Sequence, residues 1–147
     1  MEVVMKFVVF FFSVLILFNS FAGGFTTKGE IRAFADTLMD HFVKAEFQEG
    51  LNLAKKYWPI PEVEIDGLAN QIKQQWPIVD QRFGQSIEKE FISEKKIGES
   101  FIRYYYLHKF ENHSIYWQLY FYKPRDLWKV NTLIYLDNLE PLFSTVK

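Results

Sequence analysis

Apolar residues follow a helical spacing through the first half of the chain and a strand-like spacing through the second. From residue 26 to 83 they recur at steps of three and four positions, whereas residues 86 to 136 are rich in aromatic and β-branched types. The division runs one way along the chain. It therefore predicts an α+β fold, with three N-terminal helices gathered on one face of a mostly antiparallel four-stranded sheet.

The first predicted helix spans about residues 28–47, and the second spans about residues 48–57. Pro59 and Pro61 end the second, because proline lacks the backbone N–H and restricts the residue before it. The apolar stripe of the first helix is predicted to be Ile31, Phe34, Ala35, Leu38, Phe42 and Ala45.

A third helix is predicted from an N-cap at Asp66 to Gly84, with a kink just before Pro77. Its inward stripe is predicted to be Leu68, Ile72, Trp76, Val79 and Phe83.

Two turns determine the predicted strand pairing, one at residues 111–114 and one at residues 123–126. If both turns are symmetric, Phe110 lies opposite Ile115 and Thr132 lies opposite Trp117. A slip by one residue would exchange the two faces of a strand. The face predicted to pack under the helices carries Ile102, Tyr104, Tyr106, His108, Phe110, Ile115, Trp117, Leu119, Phe121, Trp128, Val130, Thr132 and Ile134.

The opposite, outer face of the sheet is mixed but rich in tyrosine. It is predicted to include Leu133 and Tyr135, and its candidate dimer contacts are Tyr105, Tyr116, Tyr120 and Tyr122. Tyrosine is favoured at interfaces, so this face is predicted to pair two copies of the chain. The alternative is a tyrosine-rich face that only water covers.

The N-terminus has the pattern of a secretory signal. Lys6 precedes residues 7–18, which are apolar except for Ser13, and small residues follow at Ser20 and Ala22. Cleavage is predicted after Ala22, leaving one domain at residues 23–147 and no membrane span. Met5 is an alternative start to Met1. The apolar run is shorter than the roughly 20 residues that a membrane-spanning helix needs.

Charge and cysteine content exclude several classes of function. The chain has 17 basic and 18 acidic residues; removing Lys6 and Glu2 with the signal leaves 16 and 17, still −1. Without a basic excess, nucleic acid is not an expected partner. The chain has no cysteine, so we expect neither disulfides nor thiol chemistry, and a secreted protein of this kind best fits the bacterial periplasm.

The segment YWQLYFYKPRDLWKV, residues 116–130, carries a resemblance to a known superfamily. Together with the order of helices and strands over residues 30–143, it resembles small secreted bacterial members of the nuclear-transport-factor-2-like superfamily. The resemblance implies a strongly curved, cone-shaped sheet with helices closing over its concave face. Members of this superfamily include isomerases, dehydratases and binding proteins, so the resemblance implies no single activity. No catalytic motif of the enzymatic members matches this chain.

The inward face supplies the candidate ligand cavity, with Tyr104, Tyr106, His108, Trp117, Trp128 and Thr132 as its lining. His108 with Tyr104 or Tyr106 would be the acid, base and hydroxyl donors of a cofactor-free isomerase or dehydratase. The interpretation we favour is a core histidine and two tyrosines whose polar atoms find partners within the protein. We therefore expect a non-catalytic module that binds a small apolar ligand or a protein partner, without a cofactor.

Three further groups of residues are candidate sites. Asp36, Asp40 and His41 are predicted to form a solvated helix face rather than a metal site. Lys95 and Lys96 are interpreted as a basic turn that protects a strand end rather than as an anion site. The apolar side chains after the last strand are predicted to plug the open end of the cone or to cover a ligand there. They are Leu139, Leu142 and Phe143.

Overall fold

The computed structural model describes residues 23–145, with side chains described through residue 144. Three helices come first: α1 (Lys28–Val43), α2 (Phe47–Ala54) and α3 (Glu62–Phe83). Four strands follow: β1 (Ser86–Ile97), β2 (Phe101–Phe110), β3 (Ser114–Tyr122) and β4 (Lys129–Leu136), and then a short helix, α4 (Glu140–Thr145). The strands pair antiparallel in the order β1-β2-β3-β4. The predicted α+β class is confirmed, while the predicted signal lies outside the described residues.

Helix α1 begins as the sequence predicts and ends four residues early. A capping box fixes its start, since the Thr27 side chain accepts from the Glu30 N–H and the Glu30 carboxylate accepts from the Thr27 N–H. Ala45 has φ of +58° and is exposed, so it ends the helix rather than extending its apolar stripe. The chain then turns into α2 at Phe47.

Helix α3 begins at Glu62, directly after Pro61, and not at Asp66. Asp66 lies inside the helix, where its carboxylate binds Lys55 Nζ at 2.6 Å and the Gln48 amide at 2.8 Å. The predicted end is confirmed, because Gly84 follows the helix with φ of +81°, a conformation that favours glycine.

The register of β2 against β3 differs from the prediction by two residues. His108 pairs with Ile115, where Phe110 was predicted to do so. Because side chains alternate with a period of two, this shift leaves every residue of both strands on its predicted face.

The register of β3 against β4 contains an irregularity that changes the faces. Phe121 pairs with Val130 but Tyr120 pairs with Thr132, so one strand carries an extra residue at this point. Thr132 and Ile134 therefore lie on the outer face, and their predicted inward orientation is wrong. In their place Leu133 and Tyr135 pack against the core. Similar irregularities interrupt β1, so the sheet is curved.

The residues after β4 cover the outer face of the sheet, not the end of a cone. Leu142, on α4, is buried against Tyr105 and Tyr116. Leu139 also packs there, whereas Phe143 is 77% exposed. Among residues 23–145, no helix is long and apolar enough to cross a membrane.

Candidate functional site

The side chains predicted to line a cavity are packed as core. None of the five that face inward is more than 2% exposed: Tyr104, Tyr106, His108, Trp117 and Trp128. The Trp117 ring lies 4.6 Å from that of Phe42 and 4.8 Å from that of Tyr135. Aromatic side chains from the helices and from β4 thus occupy the space where a ligand was expected.

His108 is the most buried polar side chain of this core, and a chain of hydrogen bonds fixes its protonation state. The Trp117 indole N–H lies 3.3 Å from His108 Nδ1. On the other side of the ring, Nε2 lies 2.6 Å from Ser86 Oγ, and Ser86 Oγ donates to the Val43 carbonyl at 2.8 Å. An indole nitrogen can only donate, so Nδ1 accepts and Nε2 carries the proton.

This tautomer is the reverse of the one that a serine–histidine pair needs for catalysis. A general base must accept the hydroxyl proton, whereas His108 Nε2–H donates to the Ser86 oxygen and has no lone pair to offer. Burial also lowers the pKa of His108 from 6.5 to about 4. The histidine is therefore a neutral core residue with both ring nitrogens hydrogen-bonded.

Tyr106 is held by a group on α1 rather than by the histidine. Its hydroxyl donates to Asp36 Oδ1 at 2.8 Å, and Asp36 also accepts from Arg32 Nε at 3.2 Å. Burial is the largest cause of a raised pKa for Tyr106, and its bond to Asp36 adds to it. Asp36 fits the predicted solvated face only in part, because its carboxylate is half-buried and binds the Tyr106 hydroxyl.

The neighbouring groups along β1 are also paired. Lys89 Nζ contacts the Asp36 carbonyl and Asp40 Oδ1, each at 2.5 Å. Burial raises the pKa of Tyr104 to about 12, with Glu94 contributing. The hydroxyls of Tyr104 and Tyr106 thus face carboxylates, and the His108 ring is bonded to Ser86 and Trp117. The three candidate catalytic side chains do not converge on a common point.

An open groove of about 660 Å³ lies between the N-terminal segment, α1 and α2. Its aromatic side is formed by Phe25, Phe34 and Tyr57, with the rings of Phe25 and Tyr57 stacked 4.0 Å apart. Leu53 also lines it and is 41% exposed. The polar groups around it are Thr26, Glu30, Thr37, Asn52 and Lys56. The volume falls within the range of about 300–1,000 Å³ of small-molecule sites.

The groove was not predicted, because its position depends on a segment that has no periodic pattern. Phe25 is fixed by backbone hydrogen bonds in both directions with Trp128, at 2.9 and 2.8 Å. This bridge ties the residues before α1 to the start of β4. A phenylalanine just before the capping box was the one available signal.

The predicted dimer tyrosines divide into two pairs. Tyr105 and Tyr116 are 3% and 1% exposed, since the C-terminal segment covers them. Tyr122 is 39% exposed, and Tyr120 is half-buried. Only the latter pair remains at the surface of the chain.

Within residues 23–145, no group of three or more histidine, aspartate or glutamate side chains is placed to hold a metal ion. Comparisons of the chain with protein-family models, with curated proteins and with solved structures found no match.

Proposed function

We propose that this chain is an exported, non-catalytic binding module, and that its ligand is a small apolar molecule held in the groove between α1 and α2. The observation that carries the proposal is the contrast between the cavity predicted under the sheet and the groove that the structure contains. The sheet interior is filled and its polar atoms are bonded internally, whereas the groove presents aromatic and aliphatic side chains to solvent.

The composition of the groove favours an apolar ligand over a charged one. Among residues 23–145, the charged groups that line it are Glu30 and Lys56, of opposite sign. Glu30 is already used, because its carboxylate accepts from the Thr26 and Thr27 N–H groups. The burial of apolar ligand surface against Phe34 and Leu53 would then supply most of the binding free energy.

Three further parts of the proposal have support from the sequence or the fold. The apolar run at residues 7–18 supports export to the bacterial periplasm, with removal of residues 1–22. The order of three helices and four antiparallel strands supports a nuclear-transport-factor-2-like fold. The exposed side chains of Tyr122, Ile134 and Leu136 on the outer face support a homodimer or a contact with a protein partner.

Native mass spectrometry of the protein, expressed as the full-length chain and purified after export, tests these parts together. The chain mass shows whether residues 1–22 have been removed, and the assembly mass shows a monomer or a dimer. Extra mass that disappears on denaturation would show a retained ligand. A monomer would refute the homodimer without bearing on the groove.

A titration with the neutral apolar dye N-phenyl-1-naphthylamine tests the groove itself. Ala33 is exposed on α1 and lines the groove, so Ala33→Trp should fill it and abolish saturable dye fluorescence. Gln71→Trp places the same ring on an exposed position of α3 and should bind dye as the wild type does. Absence of saturable binding by the wild type, or equal binding by Ala33→Trp, would refute the proposal.

A further inference from the structure

Two cations lie directly opposite each other on the outer face of the sheet. Lys95 on β1 pairs with Arg103 on β2, and both residues are half-buried. The sequence interpretation placed Lys95 in a turn, but it lies within β1, and the turn follows at residues 98–100. Like charges in directly opposed positions destabilise a strand pair.

Neither cation has a carboxylate partner among the described residues. Arg103 Nη1 donates to the Tyr120 hydroxyl at 3.0 Å, and the guanidinium lies over the rings of Tyr105 and Tyr120, at 4.8 and 5.3 Å. Arg103 Nε is buried and has no hydrogen-bond partner. On the same face, Ser93 Oγ is also buried without a partner. A buried polar atom without a partner is uncommon and calls for an explanation.

A small cavity of about 70 Å³ lies at this position. Its polar lining comes from Lys95, Arg103 and Tyr120, and its apolar lining includes Ile97 and Phe101. At about 30 Å³ for a water molecule in the liquid, the cavity has room for a group with two oxygen atoms. Ile97 is 77% exposed and lines the cavity.

We infer that this part of the outer face binds the carboxylate of a small amphiphilic molecule, with its carboxylate at Lys95 and Arg103 and a short apolar group against Ile97 and Phe101. A guanidinium matches the planar geometry of a carboxylate, and the lysine supplies a second positive charge. The anion would also relieve the repulsion between the two opposed cations. This site is separate from the groove between α1 and α2, and its test does not depend on the groove.

A calorimetric titration of the exported protein with hexanoate tests the inference. Hexanoate should bind saturably, and Arg103→Gln and Lys95→Gln should each weaken binding by about tenfold or more. Arg125→Gln removes an exposed arginine from the turn before β4 and should leave binding unchanged. Equal binding of hexanol would show that the carboxylate is not recognised, and equal binding of acetate would show that the apolar side is not used. Either result would overturn the inference as stated.

Lys95→Glu gives a second test that does not rely on loss of binding alone. It places a carboxylate opposite Arg103 within the chain itself, so it should raise the melting temperature and abolish hexanoate binding together. A melting temperature that falls, with hexanoate still bound, would overturn the assignment. Inorganic phosphate in place of hexanoate separates a general anion site from a carboxylate site, since equal affinity for phosphate would contradict carboxylate recognition.

Discussion

The neutral state of His108 predicts a specific dependence of stability on pH. The folded protein holds the histidine pKa at about 4, against 6.5 for the ordinary side chain, because the ring is buried. Between these two values the unfolded chain binds a proton that the folded chain does not, so the free energy of unfolding rises with pH across this range. The contribution of His108 to the free energy of unfolding is fully present above about pH 6.5 and is lost as the pH falls towards 4.

The magnitude follows from the size of the shift. Each pKa unit corresponds to about 1.4 kcal/mol, so the total effect approaches about 3 kcal/mol at low pH. Over the accessible range from about pH 7.5 to about pH 5.5, the free energy of unfolding should fall by about 1 kcal/mol through this group. The ring faces Trp76 and Phe110, with its centroid 5.7 and 4.3 Å from theirs, and burial is the cause of the shift.

Urea unfolding at several pH values measures the effect, with tryptophan fluorescence as the signal. His108→Gln serves as the reference, since its amide has the same capacity to donate to Ser86 and does not titrate. Subtracting the two pH profiles removes the contributions that both proteins share. The difference in the free energy of unfolding should fall by about 1 kcal/mol between about pH 7.5 and about pH 5.5.

Two outcomes would refute the reasoning. Parallel pH profiles for the wild type and His108→Gln would mean that the folded protein binds the histidine proton with an ordinary pKa. Nitrogen-15 spectra that show a protonated Nδ1 would contradict the tautomer derived from the Trp117 N–H. Either result would restore His108 as a candidate base.

Three further changes test the packing around the core. Ser86→Ala removes the acceptor of the buried histidine Nε2–H and should lower the free energy of unfolding by about 1–3 kcal/mol, measured by urea titration; Ser86→Thr, which keeps a hydroxyl, should cost less. Leu142→Ala should lower the free energy of unfolding by about 2 kcal/mol and increase hydrogen exchange in β2 and β3. Phe143→Ala, at a 77% exposed position, should change the free energy of unfolding by less than about 0.5 kcal/mol. Thr27→Ala removes the cap of α1 and should lower the free energy of unfolding, measured by thermal denaturation, by about 1 kcal/mol. Thr37→Ala, at an exposed position in the same helix, should have a much smaller effect.

The sequence predicts the layers of this fold better than its connections, and the strands show why. The two-residue error in pairing β2 with β3 left His108 and Trp117 on the correct face, because the alternation of side chains has a period of two. The irregularity next to Asn131 places Thr132 on the face opposite to the predicted one. The prediction missed it because an extra residue inside a strand has no sequence signal as clear as that of a turn.

Interactions between distant segments were the parts that the sequence did not predict. The pattern of α1 places Asp36 opposite the apolar stripe, yet its carboxylate meets the Tyr106 hydroxyl, 70 positions away. The groove at Phe25 and the cover over Tyr105 have the same origin, since each needs a segment outside the three long helices and the four strands to return to the sheet. Periodicity reports which side of an element is apolar, but it does not report which element that side meets.

The pairing of charges along β1 and β2 strengthens the case for a ligand on the outer face. Lys109 lies opposite Glu88, and its Nζ is 2.9 Å from both Glu88 and Glu90. At this position β1 and β2 place charges of opposite sign across from each other. At Lys95 and Arg103, the same two strands place two positive charges across from each other. Surface ion pairs contribute little to stability, so their absence at one position costs little. Two half-buried cations in direct opposition are a different case, because they repel each other and leave a donor unsatisfied, and a bound carboxylate would account for both observations.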